Sequence, residues 1–278
     1  MPAAIHHPDL SAAERAELMA VAAELADIAR AETLAQFRPA GGIGAENKLA
    51  GGFDPVTAAD RAAEAAMRAH LARRRPQDGI YGEEQGVTRG TSGLTWVLDP
   101  IDGTRGYMSG TPTWGVLIAL SVEEADGPGA PLLGVIDQPF IGERFTGGFG
   151  LAQTTGPMGA RDLRTRGPRG LDQAVLFSTF PEVGTAEEEA AFRRLVGQVR
   201  LTRYGMDCYA YALIAAGQID LVVEAGLQPY DVGAPIAVIE AAGGIVTNWQ
   251  GGPAHRGGRV LAAANAAVHA AALAVLNG

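Results

Sequence analysis

Two aspartates three positions apart close the apolar run "LTWVLDPIDGT", residues 94–104. Bare carboxylates out of water are costly, so a partly buried acidic pair implies a cation. Pro100 keeps Asp99 extended, and a turn after it is expected to bring Asp102 back beside Asp99. The Ile101 carbonyl then points the same way. Donors that are all oxygen suit a hard cation, Mg²⁺ ahead of Ca²⁺ or Zn²⁺. Gly103 and Thr104 follow with backbone N–H groups and a hydroxyl at the start of the next segment, a seat for phosphate oxygens. Read alone, "DPIDGT" has a lesser alternative, an Asx-turn with no further role. Other acids sit in comparable places: Glu83 and Glu84 end the strand "IYGEEQG", Asp60 lies in the first turn of the helix after "FDPVT", and Asp231 opens a helix in "LQPYDVGAPIAVIEAAGG".

The elements that must hold these acids follow from periodicity. Residues 11–37 carry Leu18, Val21, Leu25 and Ile28 at helical spacing. Residues 38–57 are rich in glycine without periodicity and are expected to form a mobile flap containing Lys48. They match neither the P-loop nor a dinucleotide fingerprint. Thr57 with Asp60 has the form of a capping box opening a second helix that ends at Arg73-Arg74-Arg75, cations that suit the helix dipole. From 94 to 150 short apolar runs predict a largely antiparallel sheet. Beyond it strands and helices alternate, so the chain reads as layered α/β, with a boundary expected between 150 and 172. The halves are taken as 1–155 and 156–278 of one compact unit.

Composition removes several classes of function. The 278 residues are 47 % hydrophobic and 19 % charged, with a net charge of −9, an ordinary globular profile. That balance argues against nucleic acid or a membrane surface as partner, since both need clustered basic residues. Cys208 is the single cysteine and is expected as a small buried hydrophobe, so an internal disulfide and a cysteine zinc site are excluded. The five histidines show no zinc spacing. With no signal-peptide pattern at the start and no credible apolar span, the expected location is the cytoplasm.

Taken in order, "GEE", "DPIDGT" and the later "YD" with "AGG" about a dozen residues on resemble the inositol monophosphatase-like family of Mg²⁺-dependent, lithium-sensitive phosphatases. The resemblance spans roughly residues 15–270. It implies an α-β-α-β-α layered sandwich of the inositol monophosphatase and fructose-1,6-bisphosphatase type, usually a homodimer, acting on a small phosphate monoester with two or three Mg²⁺ ions per subunit. It implies Glu83, Asp99, Asp102, Asp231 and the Ile101 carbonyl as metal ligands. Asp60 and Thr104 match the pair that orients and activates a water beside Glu83. Gly103 and Thr104 match the phosphate-binding backbone, and Lys48 falls near a lysine of the family's mobile loop.

The resemblance also places Glu224 and the segment "YGMDCYAY" against the alcohol of the ester. Many inositol phosphatases carry small residues in that segment, whereas this chain has Asp207. Two carboxylates favour a cationic amine through charge-assisted hydrogen bonds. Histidinol phosphate offers such an amine, and "RGYMSGTPTWG" looks like the histidinol-phosphate phosphatase branch. The plain alternative makes Asp207 the N-cap of the helix "CYAYALIAAG". The competing substrates are inositol monophosphate or sugar phosphates, then a 3′(2′),5′-bisphosphate nucleotide. A non-catalytic metal-binding regulator is the reading from another class.

Overall fold

The computed structural model describes residues 10–47 and 55–278; Lys48 and the rest of 48–54 lie outside it. The elements run α1 (Ala12–Ala35), β1 (Ala45–Asn47), β2 (Pro55–Thr57), α2 (Ala58–Arg74), β3 (Gly79–Gly82), β4 (Gly86–Thr88), β5 (Leu94–Asp102) and α3 (Thr104–Met108). Next come β6 (Gly115–Glu124), β7 (Gly127–Gln138), β8 (Glu143–Gly148), β9 (Leu151–Thr155), β10 (Arg161–Asp162), β11 (Val175–Ser178) and α4 (Ala186–Val196). The chain ends with β12 (Leu201–Tyr204), α5 (Asp207–Ala215), β13 (Leu221–Leu227), α6 (Pro229–Ala241), β14 (Ile245–Asn248), β15 (Gly258–Ala263) and α7 (Ala266–Asn277).

Strands β3–β10 make one eight-stranded sheet in the order β10-β9-β8-β7-β6-β5-β3-β4, antiparallel except for the parallel pair β3–β5. A second, mixed sheet has the order β12-β11-β13-β15-β14. Within the expected flap, Ala45–Asn47 pair antiparallel with Pro55–Thr57, because backbone pairing needs no side-chain periodicity.

Strand alternation builds the layers. On β5, Trp96 and Leu98 face α1 and α2, joining Leu18, Leu25 and Met67, while Val97 faces the other way. Val97, Leu117 and Phe145 share a core with Tyr211 of α5, Val232 of α6 and Val222 of the second sheet. Leu221 and Val223 point to the far side, onto Phe192 of α4 and Val268 of α7. The layers are therefore α1/α2, sheet, α5/α6, sheet, α4/α7, which is the expected α-β-α-β-α sandwich. Helix α6 can lie close to the first sheet because Gly134 has no side chain; a Cβ there would sit 2.5 Å from the Ala234 carbonyl oxygen.

Candidate active site

The two aspartates of "DPID" are brought together by a β-bulge, not by the expected turn. Asp99 pairs with Leu117 and Asp102 with Gly115, so β5 holds one residue more than its partner between the two pairs. In a regular strand, residues three apart face opposite ways; the extra residue restores Asp102 to the side of Asp99. That side is the middle layer, where α5 and α6 begin. Ile101 turns instead into a small apolar cluster with Ala59, Tyr107 and Trp114.

Asp231 arrives from α6. Gln228 caps that helix, Pro229 opens it, and the Gln228 N–H donates to Asp231 Oδ2 at 2.6 Å. Carboxylate oxygens of Asp99, Asp102 and Asp231 lie within 4.8 Å of one another. Glu83, in the turn after β3, is tied to the strand by its own N–H on the Leu98 carbonyl and shares a hydrogen bond with Asp99. Burial first, then the charges of Glu83, Asp102 and Asp231, push the Asp99 carboxyl well above the usual carboxylate range. Asp102 is pushed up to about 8 by burial and by Asp231, against the N–H of Cys208, which donates to its Oδ2. Oxygen acids that converge and disfavour one another's charge fit a hard divalent cation, whose own charge reverses that penalty.

Asp60 repeats the arrangement of Asp231. It is the third residue of α2, and its Oδ2 accepts from the N–H (2.9 Å) and hydroxyl of the cap residue Thr57. Its Oδ1 is buried and has no hydrogen-bond partner among the described residues. Burial lifts this carboxyl to about 6, with the Thr57 bonds opposing. Thr104 opens α3, and its hydroxyl donates to the Ile101 carbonyl at 3.1 Å. Among the described residues Asp60 and Thr104 are not hydrogen-bonded to each other. Gly103 adopts φ +84°, and a Cβ on it would lie 2.8 Å from Asp207 Cγ, so the turn and the start of α5 are in tight contact.

Asp207 is not an N-cap. Met206 holds that position, and Asp207 is the first helical residue, at φ +45°, with no capping bond. The helix end is claimed instead by Asp102, which receives the next N–H, so Asp207 enters the site in a backbone region that costs most residues energy. A cavity of about 290 Å³ brings Asp207 and Glu224 to the same wall system as Glu83, Asp99, Asp102 and Asp231. Burial, then the charges of Asp102 and Glu224, raise Asp207 to about 8. Among the described residues Arg105 is the one basic side chain lining the cavity, and it stacks over the Phe180 ring at 4.8 Å.

Sequence reasoning missed Glu64. Its fully buried carboxylate accepts the N–H groups of Glu84 (2.7 Å) and Gln85 (3.0 Å) and pairs with Arg68, fixing the turn that carries Glu83. The signal was its place one turn beyond Asp60 on the buried face of α2, four residues before an arginine.

The family model of the inositol monophosphatase family matches residues 14–277. A histidinol-phosphatase of Streptomyces coelicolor is 35 % identical over 260 residues, 91 % of this chain and 94 % of the relative. The chloroplastic bifunctional phosphatase IMPL2 of Arabidopsis thaliana is 44 % identical over 201 residues, which cover 72 % of this chain but 56 % of that longer protein. The solved structure of an inositol monophosphatase from Zymomonas mobilis superposes with a TM-score of 0.81 at 38 % identity, covering 97 % of this chain and all of that one. The chain belongs to the inositol monophosphatase family, whose members are metal-dependent phosphoric monoester hydrolases. Among the described residues no helix is long and apolar enough to cross a membrane.

Proposed function

We propose that the chain is a Mg²⁺-dependent histidinol-phosphate phosphatase. The observation that carries the substrate is the pair Asp207 and Glu224, two acids on the wall of the cavity that also holds the three-aspartate cluster. A primary ammonium donates up to three hydrogen bonds and accepts none, so two carboxylates suit it better than they suit a neutral polyol. The relatives of 33–35 % identity that are named histidinol-phosphatases favour the same choice.

Glu83, Asp99, Asp102 and Asp231, with the Ile101 carbonyl, are the residues that would hold the cations. When bound, Mg²⁺ supplies Lewis-acid polarisation of phosphoryl oxygens and charge neutralisation for the departing oxygen. The chain's own groups do the rest. The main chain of Gly103 and Thr104 seats the phosphoryl group beside the bulge. Asp60, whose Oδ2 is held by the capping box and whose Oδ1 has no partner among the described residues, takes the proton of the attacking water on Oδ1. One oxygen–phosphorus bond forms and the bond to the alcohol breaks; one proton of the water stays on the phosphate, and the one taken by Asp60 passes by way of solvent to the departing alcohol oxygen. Asp207 and Glu224 orient that alcohol by its amine.

Phosphate release from equal concentrations of histidinol phosphate and inositol 1-phosphate, with Mg²⁺, tests the assignment. A preference for the amine ester of at least tenfold in kcat/KM is expected, falling to near parity in Asp207→Ala. Equal rates in the unaltered protein would leave a phosphatase of sugar or inositol phosphates.

A further inference from the structure

Glu224 is a carboxylate on β13, 7 % exposed on the cavity wall, whose hydrogen bonds come from two other elements. Its Oε1 accepts both the N–H (2.9 Å) and the hydroxyl of Thr179, just beyond β11. Its Oε2 accepts the hydroxyl of Tyr211 at 2.9 Å. A carboxylate offers about four acceptor positions, two per oxygen. Thr179 occupies both on Oε1 and Tyr211 one on Oε2, so a single direction remains on Oε2. Asp207 differs: its carboxylate accepts nothing from any described residue.

Tyr211 lies four residues after Asp207 on α5, which puts the two side chains on one helix face. One helix thus carries a cavity carboxylate and the hydroxyl that fixes the other carboxylate. The Tyr211 ring is 2 % exposed and packs in the middle-layer core, so its hydroxyl has little freedom to move.

We propose that Tyr211, with Thr179, is a positioning residue for substrate selection: the two hold Glu224 so that it receives one N–H of the substrate's ammonium along a fixed direction, while Asp207 takes another. The arrangement rests on the amine-reading role proposed above. A carboxylate loosely held in a cavity would accept hydroxyls from many alcohols; one with three of four positions filled selects by direction as well as by charge.

The test is steady-state kinetics on two esters, histidinol phosphate and p-nitrophenyl phosphate, the second having neither amine nor alkyl hydroxyl. Tyr211→Phe keeps the ring and loses the bond to Oε2. We expect KM for histidinol phosphate to rise roughly tenfold, with kcat and the p-nitrophenyl phosphate constants changing less than twofold. Thr179→Val, which keeps the N–H bond, is expected to move the same KM in the same direction by less. Equal losses on both esters would show a purely structural residue and overturn the proposal, as would no change on either. Glu224→Gln separates this from failure of the parent reading. If it raises KM for the amine ester selectively while Tyr211→Phe does not, the positioning role alone falls. If Glu224→Gln leaves that KM alone, the amine-reading role falls and takes the positioning role with it.

Discussion

Asp207 is held where neither its backbone nor its charge is at ease. Its φ of +45° lies in the left-handed region, and its carboxyl is raised to about 8 by burial and by the charges of Asp102 and Glu224. Residues kept under strain in this way cluster at working sites, where the surrounding structure over-determines them. Asp207→Asn is therefore expected to stabilise the cation-free protein. Asparagine enters the left-handed region readily, and the substitution removes the disfavoured charge. A gain on the order of 1 kcal/mol at pH 8 is expected, read as a higher urea midpoint with an unchanged slope, and accompanied by loss of amine selectivity. An unchanged or lower midpoint would mean that the carboxylate contributes to folding after all.

At the scale of elements, helix starts are the recurring device. Asp60 and Asp231 each occupy the third position of a capping box, where one carboxylate oxygen closes the first turn of the helix. The placement also favours negative charge, since the N-terminal end of a helix carries partial positive charge. Glu64 fixes the turn after β3 in another way, through two backbone N–H groups and Arg68, whose side chain is 13 % exposed. Glu64→Gln leaves Arg68 without its buried countercharge and replaces one acceptor oxygen by a donor. A loss of roughly 3 kcal/mol in stability and a higher Mg²⁺ concentration for half-maximal phosphate release are expected. Denaturant titration and a Mg²⁺ activation curve check the two parts. How much of this was legible before the structure depends on sequence distance. The Thr57–Asp60 box, the run into Asp99 and the helix opening at Asp231 are local patterns, readable within a few residues. The bulge in β5 was not, because its extra residue exists only relative to Gly115 on β6. The start of α5 was hidden for the same reason: the N–H of Cys208 goes to Asp102, 106 positions away, and Asp207 makes no capping bond.

For the whole molecule, one cavity gathers acids that the fold forces together, Asp60 lies buried within reach of the charge of Glu83, and stability should follow their titration. Asp60 is raised from 3.8 to about 6, and Asp102 and Asp207 from 3.8 to about 8. Between those values the native chain binds more protons than the unfolded one, so native stability falls as pH rises from about 4 to about 8. Cation-free protein is expected to show a Tm that declines across this window. Mg²⁺ should raise Tm more at pH 8 than at pH 5, because binding competes with protons at the low end. A scanning-fluorimetry series over pH with and without Mg²⁺ measures both slopes; equal gains at the two pH values would remove the acid cluster as their source. The shared middle core has a further consequence. Val97 and Phe145 of the first sheet pack with Tyr211, Val232 and Val222 from the later part of the chain. Helices α5 and α6 fill the space between the sheets, Arg256 ahead of β15 pairs with Glu124 of β6, and the exposed connection around Gly167 and Pro168 carries no strand or helix. A protease nick in that connection would sever the peptide but not the particle. The two fragments would stay married by their common core, and neither alone would own a complete set of acids.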